Sequence, residues 1–167
     1  VYAAAGASVA ALQQEADRGK AIAAAATGVA KIALDLHAQG RLDGVFGLGG
    51  SAGTTIATAA MRALPFGVPK LMVSTLASGQ VRPYVGVRDI LMLNSVVDIS
   101  GLNRISRRVL TNAAHAMIGM VREKGVRNLS GEKVPDTFFD KPLVTATMFG
   151  VTTPCVEAAR REVEQAG

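Results

Sequence analysis

The sequence predicts an α/β fold, a parallel sheet with helices on both faces. Three observations predict it. Short apolar runs near residues 44–48, 70–75, 90–94 and 143–148 alternate with stretches of helical periodicity. The runs are too short for core helices but suit buried strands. Several end in loops rich in Gly, Ser and Thr. Parallel neighbours require crossover segments of about a dozen residues or more, and the intervening helical stretches supply them.

Residues 7–39 read as one long helix or as a broken pair. Val9, Leu12, Ala16, Ala23, Ala26, Val29 and Ile32 recur at steps of mostly three and four. That spacing marks one helical face. Much of the face is alanine, which favours helix but buries little area per residue. Gly19 and Gly28 mark a bend or a close contact, and Asp17, Arg18 and Lys20 read as solvent-facing charges. Gly40 is the expected stop.

The central stretch is Gly44-Val45-Phe46-Gly47-Leu48-Gly49-Gly50-Ser51-Ala52-Gly53-Thr54-Thr55. It reads as strand, tight glycine loop and helix, the helix running from about Thr54 to Leu64. Glycines allow close backbone approach. Free N–H groups at a helix start, with the helix dipole behind them, suit a phosphate. Gly49, Gly50, Ser51, Ala52, Gly53 and Thr54 are therefore the principal nucleotide-binding candidates. The alternative is a turn with no ligand. The match to the dinucleotide fingerprint is loose, and the acidic residue expected about 20 residues onward to hold a ribose is missing. Thr54 stands where a phosphate-binding P-loop has lysine. Any phosphate would be held by backbone N–H and hydroxyl groups. Gly53→Val is expected to crowd it and to leave the fold intact.

The run at 70–75 ends in Ser74-Thr75-Leu76-Ala77-Ser78-Gly79-Gln80. Parallel sheets place ligands at the carboxyl ends of their strands. Ser78, Gly79 and Gln80 thus either face the same ligand or form an ordinary polar turn. Tyr84 either packs on the core or covers a ligand. After the run at 90–94, Ser100 or Asn103 caps a helix whose apolar stripe is Leu102, Ile105, Val109, Ala113, Met117 and Met120. Arg104 lies near the start of that helix, where a cation is unfavourable unless an anion compensates. It is read as a phosphate contact or a salt-bridge partner. His115 has apolar neighbours and reads as structural.

Residues 125–141 form a turn-rich linker into the run at 143–148. Gly150, Thr152 and Thr153 then repeat the order of strand, glycine, threonines and helix, giving a second nucleotide-facing loop. Pro154 suits the first helical position. Cys155 sits just inside that helix start, which favours a thiolate. Packing beside the loop is the preferred reading.

At 167 residues, with 49% hydrophobic and 19% charged content, the chain is globular and buries a real core. One cysteine excludes an intrachain disulfide framework. The sequence holds no basic leader with a cleavage site, and no uninterrupted apolar run of the roughly 20 residues that span a bilayer. A cytoplasmic protein without a membrane partner is expected. The net charge of +5 allows an acidic ligand. Scattered basic residues and 4% aromatics do not make a nucleic-acid groove. No metal-ligand spacing and no Ser/His/Asp grouping assigns a reaction.

Three segments together resemble one family. They are Gly47-Leu48-Gly49-Gly50-Ser51-Ala52-Gly53-Thr54 with Ala60–Pro65, Met72–Gly79 with Asn103-Arg104-Ile105-Ser106, and Thr147–Cys155. The family is that of the ATP-binding domain of the tomato mosaic virus resistance protein and its uncharacterised bacterial relatives. The resemblance covers most of the chain from about Gly19 onward. It implies a two-part α/β domain with Rossmann-like halves, ATP as the ligand and a homodimer; Mg²⁺ is expected to accompany the nucleotide. The chain lacks the family's first strand–helix segments and most of the second half. It is expected to be a fragment, with residues 1–141 the Rossmann-like nucleotide-binding part and 142–167 the opening of the second half. An ATP-dependent enzyme on a small acidic metabolite, or a dimeric interaction module, are the competing functions.

Overall fold

The computed structural model describes residues 1–122 together with Glu157, Ala158, Arg160, Arg161 and Gln165. The chain divides into two compact units, Val1–Lys124 and Gly125–Gly167. In the second unit, the described residues are helical and exposed. The expected strand at 143–148 and the boundary at 141/142 lie outside the described residues, as do Gly150, Thr152, Thr153 and Cys155.

The first unit opens with a single 3₁₀ turn, Ala3–Ala5. Then follow α1 (Val9–Glu15), α2 (Arg18–Ala38), β1 (Val45–Gly49), α3 (Ser51–Ala63), β2 (Lys70–Ser74), α4 (Arg82–Val85), β3 (Leu91–Asn94) and α5 (Arg104–Arg122). The three strands form a parallel sheet in the order β1-β2-β3. Its register pairs Phe46 with Leu71 and Leu48 with Val73, then Leu71 with Leu91 and Val73 with Leu93.

The long N-terminal stretch is a broken pair of helices, and the break is set by Asp17 rather than by glycine. Ala16 takes a left-handed φ of 49° and ends α1. The Asp17 carboxylate then accepts from Gly19 N at 2.8 Å and Lys20 N at 3.1 Å, capping α2. Asp17 is thus a cap rather than only a surface charge. Gly28 is a close-contact glycine, because a Cβ there would overlap the Val1 carbonyl. Gly40 follows α2 in the left-handed region at φ 66°, as expected of a stop.

Alternation along β1 sorts the sheet faces. A Cβ on Gly47 would collide with Ala57 and Met61, so α3 lies close over that face. Behind it, Ala33 of α2 joins Ala60 and Leu64 of α3 in one core cluster. On the opposite face, Leu71 and Val73 pack with Ala113 of α5, flanked by Val109, Leu110 and Met117. Helices therefore cover both faces, as in a Rossmann-like half. Over β1 that second face is open: Phe46 and Leu48 remain 40% and 44% exposed.

α2 is also long and apolar enough to cross a bilayer by length and composition, with a mean hydropathy of 1.3. In the fold it packs on α3, with Ala33 in their shared core, and on the opening 3₁₀ turn, where Gly28 meets Val1.

The amino end of β2 holds a buried cation that the sequence does not announce. Lys70 is 1% exposed. Its ammonium donates to Pro65 O at 2.7 Å, Val68 O at 2.9 Å and Asp89 Oδ1 at 2.8 Å. Asp89 Oδ2 accepts from Gly67 N at 2.8 Å. This one cluster ties the loop before β2 to the loop before β3. It lies at the end of β2 opposite the glycine loop.

Candidate functional site

β1 ends at Gly49, and α3 begins directly after Gly50, which caps it without any side chain. The first intrahelical bond is Thr54 N to Gly50 O, at 2.8 Å. The N–H groups of Ser51, Ala52 and Gly53 thus precede the helical ladder and have no intrahelical acceptor. The helix starts three residues earlier than the sequence suggests. Ser51, Ala52 and Gly53 form its first turn rather than a loop before it.

The glycines do different things. A Cβ on Gly49 would stand 2.9 Å from Gly53 Cα, and a Cβ on Gly53 would stand 3.0 Å from Leu48 O. These two let helix and strand meet. Gly53 therefore has a packing role, and a valine there strains the strand–helix contact instead of only crowding a ligand. Gly50 is different: a Cβ there meets nothing closer than Thr75 Oγ1, at 3.5 Å, which is ordinary contact.

Thr54 is fully buried at 0% exposure. Its hydroxyl donates to Gly50 O at 2.7 Å and shares a hydrogen bond with Ser74 Oγ, also 2.7 Å. Ser74 Oγ in turn accepts from Leu76 N at 3.0 Å. Expected as a phosphate contact, the Thr54 hydroxyl is engaged within the protein. It fixes the start of α3 to the end of β2. Thr75 N completes the junction by donating to Gly49 O at 3.3 Å.

Beside this junction lies an open polar cleft of about 380 Å³, lined by Thr75, Ser78, Asn94, Ser95, Val96, Val97 and Asp98. It sits at the carboxyl ends of β2 and β3, where open α/β sheets bind ligands. Ser78 is there, as the sequence reading allows. Gly79 and Gln80 are exposed and do not line it. Ser95 N donates to Ser74 O at 3.1 Å, and Ser95 Oγ donates to Val97 O at 2.7 Å. Asn94 Oδ1 accepts from Val96 N at 3.1 Å. Val96 takes φ 66°, a left-handed conformation that is costly for a β-branched residue.

Arg104 begins α5 and faces a separate concavity, shared with Arg107, Arg108 and Thr111. Among the described residues none of these three arginines pairs with a carboxylate. The helix cap is Asn103, whose Oδ1 accepts from Ile105 N and Ser106 N, both at 2.9 Å. Tyr84 is half-buried, and its backbone carbonyl accepts from Arg62 of α3. Among the described residues no group of three or more His, Cys, Asp and Glu side chains converges as a metal site.

The sequence reading singles out the glycine loop and Ser78 but not Thr75, Asn94 or Asp98 as site residues. No short motif joins these three. The parallel order of β2 and β3 brings them together, and that order becomes visible only in the fold.

The sequence matches a known family. Residues 1–125 match the model of the N-terminal domain of an uncharacterised protein family, UPF0261. A UPF0261 protein of Clostridium tetani (strain Massachusetts / E88) is 49% identical over 162 residues, covering 97% of this chain and 38% of the relative. A UPF0261 protein of Rhizobium meliloti (strain 1021) is 51% identical over 142 residues, covering 85% and 32%. The ToMV resistance protein Tm-1(GCR237) of Solanum lycopersicum is 42% identical over 150 residues, covering 90% and 19%. The chain thus spans well under half the length of these curated relatives. With three quarters of its residues inside the family's N-terminal domain, the chain belongs to the UPF0261 family.

Proposed function

We propose that the protein binds a nucleotide, ATP with Mg²⁺, through the glycine loop at the carboxyl end of β1. The observation that carries this reading is the start of α3, which no side chain caps. Three consecutive N–H groups, at Ser51, Ala52 and Gly53, lie at the positive end of a 13-residue helix whose cap is a glycine. A phosphate satisfies those donors and gains from the dipole. The Ser51 hydroxyl is exposed at the same turn. Mg²⁺ arrives on the phosphates in this reading, so a nucleotide–metal complex is the ligand.

The test is isothermal titration of the 167-residue chain and of its Gly50→Val variant with ATP and Mg²⁺. Gly50 has a negative φ of −81°, and a Cβ there meets nothing closer than Thr75 Oγ1 at 3.5 Å; circular dichroism and a thermal melt alongside the titration check that the variant is folded. Wild type is expected to bind and Gly50→Val to bind at least about tenfold more weakly, because the branched side chain crowds a phosphate off the adjacent N–H groups, at a cost of about one charge-assisted hydrogen bond. No heat from wild type at millimolar nucleotide contradicts the proposal.

A second reading rests on Arg104, Arg107 and Arg108. Three exposed guanidinium groups on the first turns of one helix oppose its dipole. An anionic partner would relieve that opposition. This reading makes α5 an interaction surface in a dimeric module, located in the cytoplasm. It does not require the glycine loop.

A further inference from the structure

The glycine loop lacks the acidic residue that usually follows the next strand and holds a ribose. The end of β2 offers Ser74 and Thr75 instead. One strand further along, Asp98 lines the same cleft as Thr75 and Ser78. We propose that this cleft is the subsite for the vicinal hydroxyls of the ligand's sugar, with Asp98 as their acceptor. The proposal rests on the nucleotide reading above and extends it to a residue that reading does not use.

Position is the first argument. Thr75 joins the two regions: its N–H donates to Gly49 O at 3.3 Å, and its hydroxyl lies 3.5 Å from where a Gly50 Cβ would stand. A ligand whose phosphates sit on the start of α3 reaches the cleft without crossing another element.

Charge is the second argument. A carboxylate repels phosphate at close range. The cleft therefore suits the uncharged, hydroxyl-bearing part of a nucleotide. Asp98 Oδ1 accepts from Ile99 N at 2.8 Å, which orients the carboxylate. The other oxygen has no hydrogen-bond partner among the described residues, and an ionised carboxylate is an acceptor for donated hydroxyls. The Thr75 and Ser78 hydroxyls can both donate and accept, so they complement a diol in either orientation.

Backbone geometry is the third argument. The segment from Asn94 to Asp98 lines the cleft continuously. Val96 within it is held at φ 66° by its bond to Asn94 Oδ1. Such strain persists where the surroundings over-determine it.

The test compares ATP, 2′,3′-dideoxy-ATP and inorganic tripolyphosphate by titration calorimetry, on wild type, Asp98→Asn and Asp98→Ala. Asp98→Asn keeps an oxygen for Ile99 N and sits at an exposed position, so it folds. Wild type is expected to prefer ATP over the dideoxy analogue by about ten- to hundredfold, the range for a hydrogen bond to a charged group. Both variants are expected to lose that preference and to bind tripolyphosphate at least as well as wild type. Two results overturn the subsite alone. One is binding of ATP and its dideoxy analogue by wild type with equal affinity; the other is a wild-type preference for ATP over the analogue retained in both variants. Failure of all three ligands to bind wild type overturns the glycine-loop reading and the subsite with it.

Discussion

Lys70 carries more of the fold than its residue type suggests. A buried ammonium is stable only when its protons are matched. Here two carbonyls and the Asp89 carboxylate match them. Partial burial works against the charged form of Asp89, but the Lys70 ammonium and Gly67 N–H outweigh it and hold the carboxyl below its ordinary value. A depressed carboxyl pKa contributes stability that is present above the unfolded-state value, about 3.9, and is lost as pH falls through the folded value. Asp89→Asn should therefore lower stability by about 1–3 kcal/mol at neutral pH, since the buried cation loses its counter-charge. Thermal melts of wild type and variant should converge as the pH is taken from about 4 downward. A gap that stays constant over that range would mean that the pair contributes nothing through ionisation. Nothing in the sequence flags this pair. Its members are 19 positions apart, and Lys70 reads as an ordinary charge between Pro69 and Leu71.

The strands are the most legible elements. Each of the three described strands falls within a residue or so of its expected place, because short apolar runs bounded by Gly, Pro and polar residues leave little choice. Helix starts are less legible. The start of α3 is missed by three residues because its cap is a glycine with no side-chain signal. Gly19 and Gly28 read as marks of a bend or a close contact, but the break between α1 and α2 is set by the capping Asp17. The packing face of α2 is read only in part: Val29 packs against the cluster shared with α3, but the buried positions are Ala25, Gly28 and Ala33, beside the expected stripe, and Ala23 is exposed. What remains exposed includes Leu34, and on β1 Phe46 and Leu48. These apolar groups favour the proposed self-association. Sedimentation equilibrium of the chain should give the dimer mass at micromolar concentration. A monomer at high concentration would remove the dimer from the proposal.

At the scale of the whole molecule, the topology decides what the sequence leaves open. A parallel order β1-β2-β3 sends all three carboxyl ends to one edge. The glycine loop, Thr75 with Ser78, and Asn94 through Asp98 are thereby gathered at that edge; the sequence joins the first two as strand-end loops but gives no sign of the third. Arg104 is not in that cleft and belongs to the concavity on α5. The central claim is that phosphate sits on the amides that begin α3. Backbone amide chemical-shift mapping of the isotope-labelled chain, titrated with ATP and Mg²⁺, tests it most directly. Saturable shifts are expected, largest at Gly50, Ser51, Ala52 and Gly53, with smaller ones at Thr75, Ser78 and Asp98. Shifts centred on Arg104, Arg107 and Arg108, with the start of α3 unmoved, would contradict it.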